Sequence, residues 1–402
     1  MTDGRRVRVG VDVRCLGDGT GMRGFARYTS EVVHALARRD DVEIIGYSDR
    51  DVDSLPDEIV VHSFAARREI GAEQLAWPRL LRRDAIDVVL GPANRGLPLL
   101  TPCPAVLTLH DAVEWDRSLV AAPQGRDRVR FEYSNIASLM NATRVITVSE
   151  FSAHELHSVL GIPRARIRVV YEAADQRFRP STSVGVAEAQ QRHDAEVATR
   201  LSIDRDTVVY VGGFDAKKDI PTLIRGFAHA ARDRAERQLV LIGSHPPIDE
   251  VAALAAECDV AAQVQAIGYV DDVDLPSIYR RAGCFATAAA FEGFGLPAME
   301  AMACGLAVVV PNAGSLPEIV GDGGIAYPLR SIGAFGNAIN ETLDPVGREH
   351  WIARAQHRAA QFSWDVTAEQ TLMVLREAAN ITVTQRVVDA WRILPNEKRW
   401  VA

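Results

Sequence analysis

Short runs of β-branched and other apolar residues recur along the chain, separated by stretches whose apolar residues repeat with helical spacing. This alternation is typical of parallel β-strands joined by crossover helices. The first series of runs is VRVGVDV, VEIIGYS, DVVLG, AVLTLHD, RVITVS and RIRVVYEA. The second series is VVYVGG, LVLIGS, VQAIGYV, GCFATAA, LAVVVP and GIAYPL. We therefore expect two doubly wound, Rossmann-like α/β domains with a cleft between them and ligands at the carboxyl ends of the strands.

The boundary between the two series is the polar stretch STSVGVAEAQQRHDAEVATR, residues 181–200, which contains no β run. We interpret it as a linker with a surface helix. The prediction is then an N-terminal domain over residues 1–180, a C-terminal domain over residues 201–378, and a helical tail over residues 379–402. The tail is expected to pack back on the N-terminal domain or to present a partner surface. A length of 402 residues agrees with two domains, since one hydrophobic core rarely serves more than about 300.

Charge and cysteine content exclude several classes of protein. The net charge is −8, so no nucleic-acid partner is expected, because proteins that neutralise phosphates normally carry a basic excess. The five cysteines form no CxxC pair, which argues against a disulfide framework or a zinc site. The amino-terminal segment is too short and too charged for a signal peptide, and no apolar run reaches the ~20 residues of a membrane span. A cytoplasmic protein is expected.

Arginines cluster at two places in the first half of the chain. They are Arg79, Arg82 and Arg83, and Arg126, Arg128 and Arg130. Two interpretations remain open: a solvated face, or a weak peripheral contact with anionic lipid at the inner membrane face or with a phosphorylated acceptor.

The segment FEGFGLPAMEAMACG, residues 291–305, predicts a tight turn followed by a helix. Gly293 and Gly295 permit the turn, and Pro297 suits the first helical position. The helix amino terminus favours a phosphate or sugar oxygen. Glu300 is expected in the first turn, where it can accept hydrogen bonds from ribose hydroxyls. The alternative is that Glu300 only complements the helix dipole and that Glu292 is a surface charge.

Two further positions suggest chemistry. The chain has three lysines, and Lys217 and Lys218 stand together after a strand that ends in Gly212 and Gly213. In a chain that otherwise uses arginine, this pair favours a phosphate ligand over a solvated loop. His110 follows the strand AVLTL, and its neighbour Asp111 can fix one imidazole tautomer. We expect a site role with little core packing, so that His110→Ala preserves the fold.

FEGFGLPAMEAMACG resembles the E-x7-E signature of the retaining family 4 glycosyltransferases, with Glu292 and Glu300 at the two glutamate positions. Other segments resemble the same family in order: RGFARYTSEVVHAL, LTLHDAVEW, VITVSEFSAHEL, VVYEAADQRFRP, VGGFDAKKDI and GYVDDVDLPSIYRRA. The resemblance covers most of residues 7–378. It implies the GT-B fold, with two Rossmann-like domains facing each other across a cleft. The first domain would hold mainly the acceptor and the second the nucleotide-sugar donor, with transfer that retains the anomeric configuration.

The resemblance also implies roles for individual residues. Glu292 would contact hydroxyls of the transferred sugar, Glu300 the ribose and Lys218 the diphosphate. The implied catalytic residues are His110, Glu292 and Lys218, with His110 beside the donor sugar. The implied donor-binding residues are Gly21, Arg23, Gly24, Gly212, Gly213, Lys218, Gly268, Tyr269, Val270, Glu292, Gly293, Phe294, Gly295, Leu296 and Glu300. No metal or other cofactor is expected, because a lysine and helix-end N–H groups stabilise the departing diphosphate.

The chain departs from the family pattern at Gly213, where relatives often carry an arginine. Arg23 is our candidate for the second cation. It lies in the literal GxGxxG of residues 19–24, which a dinucleotide-binding dehydrogenase would also have. In that fingerprint the first glycine follows the strand almost at once, whereas here residues 14–18 intervene, and Asp18 would repel a pyrophosphate. We therefore interpret this segment as a flexible loop over the donor phosphates.

The prediction is a retaining, metal-independent hexosyltransferase of polysaccharide, glycolipid or natural-product assembly. GDP-mannose is the first choice of donor, and a hydroxyl on a glycan, glycolipid or small molecule is the acceptor. The alternative is a UDP- or dTDP-sugar-dependent transferase of the same fold. An NAD-dependent dehydrogenase and a non-catalytic GT-B-like binding module are less favoured, the latter because both glutamates, Lys218 and His110 are all present.

Overall fold

The computed structural model describes residues 6–17, 23–52, 55–64, 70–115, 125–180 and 188–381. The chain divides into two compact units. Unit 1 comprises Met1–Glu172 together with Trp364–Ala402, and unit 2 comprises Ala173–Ser363. Each unit contains one parallel sheet, so the predicted α/β class with two doubly wound domains is confirmed.

Unit 1 is built on a seven-stranded sheet in the order β3-β2-β1-β4-β5-β6-β7. Its strands are β1 (Val7–Asp12), β2 (Val42–Ser48), β3 (Val60–Ser63), β4 (Val88–Gly91), β5 (Ala105–Thr108), β6 (Ala142–Thr147) and β7 (Ile167–Val169). The first helices are α1 (Arg23–Ala37), α2 (Ile70–Arg83), α3 (Gly125–Asn141) and α4 (Glu150–Ser158). β4 and β5 are buried at every position, as expected of central strands covered on both faces. The short edge strand β3 was not predicted, since its exposed and half-buried residues give it no buried run.

Unit 2 is built on a six-stranded sheet in the order β10-β9-β8-β11-β12-β13. Its strands are β8 (Thr207–Val211), β9 (Gln238–Ile242), β10 (Val264–Gly268), β11 (Cys284–Ala286), β12 (Ala307–Pro311) and β13 (Ile325–Tyr327). Its helices are α5 (Glu188–Leu201), α6 (Ile220–Ala231), α7 (Ile248–Glu257), α8 (Leu275–Arg281), α9 (Leu296–Ala303), α10 (Leu316–Val320), α11 (Ile332–Leu343) and α12 (Pro345–Ala359). Every predicted strand of this series is present.

The last described helix, α13 (Trp364–Ala379), belongs to unit 1. Its buried face includes Trp364, Leu372 and Leu375, and it packs against α1, β4, β5 and β6. Glu377 receives hydrogen bonds from Arg144 Nε at 2.8 Å and from Arg168 Nη2 at 2.6 Å. The predicted domain end at residue 378 therefore differs from the structure, in which the chain returns to unit 1 at residue 364. The predicted tail lies outside the described residues from 382 onward.

Helix α5 lies in the segment predicted to be a linker with a surface helix. It packs on α8, and Asp194 in its middle is buried. Arg280 donates to both Asp194 carboxylate oxygens, at 2.7 and 2.6 Å, and Ser277 Oγ donates to Oδ1 at 2.7 Å. A buried carboxylate with these partners holds α5 to unit 2. The helix is thus part of the second unit, which begins at residue 173.

Candidate active site

A glycine lies at the carboxyl end of each of three neighbouring strands in unit 2. Gly212 donates its N–H to Ile242 O at 3.0 Å after β8, and Gly243 donates to Gly268 O at 2.8 Å after β9. A Cβ on Gly243 would lie 1.9 Å from Gly212 O, so no larger residue fits this approach, and Gly268 has a φ of +76°. The predicted donor residues Gly212 and Gly268 therefore lie at one edge of the sheet. Gly243 was missed, although it lies in the predicted run LVLIGS, directly after β9.

Lys218 and Glu292 meet at the same edge. The loop after β8 is joined to the loop after β11 by a hydrogen bond from Ala290 N to Lys217 O at 2.7 Å. This bond brings Lys218 Nζ to 2.5 Å from Glu292 Oε1. Both side chains are mostly buried, with exposed fractions of 13% and 20%. Of the two adjacent lysines, it is Lys218 that pairs with the first glutamate of the signature.

The backbone of Glu292 is held by the loop that precedes α10. Ser315 donates to Glu292 O from its N–H at 3.2 Å and from its hydroxyl at 2.9 Å. Gly314 has a φ of +61°, and a Cβ there would lie 2.9 Å from Glu292 N. These two residues fix the direction of Glu292, and the sequence analysis missed both. The local signal is a glycine and a serine that begin three residues after the predicted strand LAVVVP.

Helix α9 begins one residue earlier than expected. Gly295 caps it in the left-handed region with a φ of +96°, and Leu296 is the first helical residue. Pro297 is therefore the second helical residue rather than the first. Glu300 is the fifth, so it lies in the second turn rather than the first, where the dipole acts less strongly on it. It is buried, with an exposed fraction of 1%. Its contact with the ribose stays a prediction.

The remaining predicted donor residues fall into two groups. In unit 2, Gly293 and Phe294 are buried, Leu296 and Val270 are half-buried, and Gly213 and Tyr269 are exposed. In unit 1, Gly24 is exposed at the start of α1, and a Cβ there would meet no atom within 4 Å. Gly21 lies outside the described residues, and only the backbone of Arg23 is described, as the first residue of α1. The predicted role of this glycine-rich loop is therefore untested.

His110 lies in unit 1 after β5, with both ring nitrogens against oxygen acceptors. Nδ1 is 3.0 Å from Glu172 Oε1, and Nε2 is 3.0 Å from Pro92 O. Its backbone N–H donates to Asn94 Oδ1 at 2.9 Å. Pro92 O only accepts, and an ionised Glu172 carboxylate also only accepts, so beside that carboxylate both ring nitrogens carry hydrogen, which is the imidazolium form. Asp111 does not orient the ring as predicted: Glu172 and Pro92 do.

The environment of His110 is a packed one. Its ring centroid lies 4.7 Å from those of Phe25 and Tyr28, and the residue is 7% exposed. Burial alone lowers the pKa of His110, but the hydrogen bond and the charge of Glu172 outweigh it and raise the pKa above its usual value. The expectation of little core packing is therefore wrong. Glu172 was missed as a partner, although it lies in the family-like segment VVYEAADQRFRP.

Neither a metal-binding cluster nor a membrane-spanning helix is present among the described residues. No group of three or more His, Cys, Asp or Glu side chains there is arranged to hold a metal ion. None of the helices in that part of the chain combines the length and the apolar character needed to cross a membrane.

Comparison with known proteins decides the family. Residues 193–358 match the family described as Glycosyl transferases group 1, and residues 22–177 match Glycosyltransferase Family 4. O-antigen chain mannosyltransferase B of Escherichia coli is 32% identical over 274 residues, which are 67% of this chain and 69% of that protein. The chain belongs to the family 4 glycosyltransferases.

Other relatives agree with this assignment. D-inositol 3-phosphate glycosyltransferase of Mycobacterium tuberculosis is 31% identical over 250 residues, which cover 59% of this glycosyltransferase and only 49% of that protein. Among solved structures, sucrose-phosphate synthase from Thermosynechococcus elongatus superposes with a TM-score of 0.71 at 21% identity, over 92% of this chain and 99% of that one. The predicted GT-B fold is thereby confirmed.

Proposed function

We propose that this family 4 glycosyltransferase moves a hexose from a nucleotide sugar to a hydroxyl acceptor, with retention of configuration and without a metal ion. The observation that carries the proposal is the Lys218–Glu292 pair beside the amino terminus of α9. An ammonium group and helix-end N–H groups can take up the negative charge of a departing diphosphate. The partner carboxylate is then available to the hydroxyls of the transferred sugar.

The proposed step needs no side chain as a base. The acceptor oxygen bonds to the anomeric carbon while the bond from that carbon to the diphosphate oxygen breaks, and the bonding pair stays on the diphosphate. The acceptor proton moves to a phosphate oxygen. His110 fits this scheme because its ring nitrogens already face Glu172 and Pro92. In the proposal it carries positive charge beside the donor sugar and transfers no proton.

The proposed donor is GDP-mannose, and the similarity to O-antigen chain mannosyltransferase B of Escherichia coli supports a mannosyl donor. A UDP- or dTDP-hexose is the alternative. The proposed acceptor is a hydroxyl of a growing glycan, a glycolipid or a small molecule.

A nucleotide panel followed by turnover tests the proposal. GDP, UDP and dTDP are compared by thermal shift, since a ligand at 100 times its dissociation constant adds ~2.7 kcal/mol to stability. Turnover is then measured with the sugar of the preferred nucleotide, with and without a chelator, and the anomeric configuration of the product is read by NMR. Loss of turnover on chelation that a divalent cation restores would contradict metal independence. An inverted product would contradict retention.

A further inference from the structure

Unit 2 contains a cavity of about 510 Å³ at the amino-terminal edge of its sheet, between α5 and the starts of β8 and β9. Its polar lining consists of Thr199, Ser202, Asp204, Arg205, Gln238 and Arg281. Lys218 follows the opposite, carboxyl end of β8, and Glu292 follows the carboxyl end of β11, which pairs with β8 in parallel. A five-residue strand such as β8 spans about 16 Å at ~3.3 Å per residue. The cavity is therefore separate from the candidate donor site.

Arg205 and Arg281 line this cavity, and Arg348 lies beside them, with Nη2 donating to Arg205 O. Arg205 is an exposed residue, but partial burial of its guanidinium group first, and then the charges of Arg348 and Arg281, lower its pKa. Within the described residues none of the three forms an ion pair. The neighbouring Arg280, in contrast, is neutralised by Asp194. An uncompensated cluster of like charges favours a bound anion.

The guanidinium groups are held on one side by backbone carbonyls. Arg348 Nη2 donates to Arg205 O at 2.6 Å and to Leu343 O at 3.0 Å, and Arg281 Nη2 donates to Gln191 O at 3.3 Å. The Nε atoms of Arg281 and Arg348 are buried and have no hydrogen-bond partner among the described residues. These two Nε groups are enclosed by protein and are not exposed to the cavity.

The carboxylate of Asp204, the acidic residue of the lining, accepts hydrogen bonds within the turn that contains it. Its Oδ1 accepts hydrogen bonds from Thr207 Oγ1 at 3.0 Å and from Asp206 N at 2.9 Å. We infer that the cavity binds a phosphate monoester, with Arg205 and Arg281 as its principal ligands. Guanidinium groups match the oxygens of a phosphate, and the volume lies in the range of pockets that hold small molecules.

Calorimetry on a variant that lacks the donor-site cation tests this inference. In the Lys218→Ala protein, inorganic phosphate and glycerol 3-phosphate are titrated at constant ionic strength. We expect saturable binding that Arg281→Gln and Arg205→Gln each weaken about ten- to hundredfold, the effect of losing one charge-assisted hydrogen bond. Arg354→Gln is the matched control, because its guanidinium pairs with Asp322 in the same unit, and it should leave binding unchanged. The melting temperature of each variant shows that it is folded.

Two results would overturn the inference. One is the absence of saturable binding of either compound or of phosphorylated lipid. The other is that Arg354→Gln weakens binding as much as Arg281→Gln and Arg205→Gln do.

Co-sedimentation with vesicles distinguishes the source of the phosphate. Binding to phosphatidic acid vesicles, but not to phosphatidylcholine vesicles, that Arg281→Gln abolishes would support a lipid monoester. Binding of the soluble compounds alone would support a free one. Because the background lacks Lys218, neither result depends on the proposed transferase reaction.

Discussion

Replacing Lys218 by alanine removes the cation that the structure pairs with Glu292. In the proposed reaction this ammonium stabilises the departing diphosphate, and Gly213 stands where relatives often have a second cation. We therefore expect Lys218→Ala to reduce kcat severely. The loss of one preorganised donor to a developing oxyanion costs about 2.7–4 kcal/mol, which corresponds to ~10²- to 10³-fold in rate.

The geometry adds a second component to this effect. With Nζ absent, the mostly buried Glu292 carboxylate loses its partner at 2.5 Å and stands uncompensated near the diphosphate. Glu292→Gln in the same protein removes that negative charge. The double variant should therefore bind the nucleoside diphosphate more tightly than Lys218→Ala alone, by about 1 kcal/mol or roughly fivefold, the difference between a charged and a neutral hydrogen-bonding group.

Steady-state kinetics and calorimetry with the nucleoside diphosphate measure both components. Lys217→Ala is the matched control, because Lys217 is adjacent and its backbone oxygen, rather than its side chain, bridges to Ala290. Lys218→Arg should not restore full activity, since the planar guanidinium group of arginine does not replace the compact ammonium group of lysine. If Lys217→Ala is the damaging change, or if Lys218→Ala leaves kcat unchanged, the reasoning is refuted.

Three further predictions concern separate contacts. Glu300→Gln should raise the donor KM about ten- to hundredfold if the carboxylate binds the ribose, and an unchanged KM would contradict that role. The pKa of His110 is raised in the folded protein, so its contribution to stability is complete below the usual pKa near 6.5 and is lost as pH rises through the folded pKa. Glu172→Gln removes the cause of this shift and should flatten the dependence of unfolding free energy on pH. Denaturant titrations from pH 6 to about 9 would show the difference. Glu377→Gln should cost about 1 kcal/mol, since its pair of arginines is partly exposed, and a melting temperature equal to that of the wild type would argue against α13 being held by these ion pairs.

The contacts of His110 show what could and could not be predicted from the sequence. Its position after a buried strand was readable, because the run AVLTL is local and apolar. Its partner Glu172 lies 62 residues away in sequence, and no local pattern connects the two. The neighbouring Asp111 was the natural choice from the sequence, and it was wrong. The same holds for Ser315 and Gly314. They orient Glu292 by contacting its main-chain atoms, and such contacts cannot be read from the residue types along the chain.

The sequence by itself determined every strand except the edge strand β3, as well as the parallel class and the family. Each of these depends on local spacing: β-branched runs at regular intervals, and glycine, proline and glutamate at fixed distances around residues 291–305. Only the tertiary structure decided which unit α13 belongs to, which hydrogen-bond acceptors surround His110, and which charged side chains lie next to each other. The arginine cluster around Arg205 draws its members from three separate segments. A hydrophobic pattern reports whether a segment is buried, whereas the partner of a buried side chain depends on how distant segments pack.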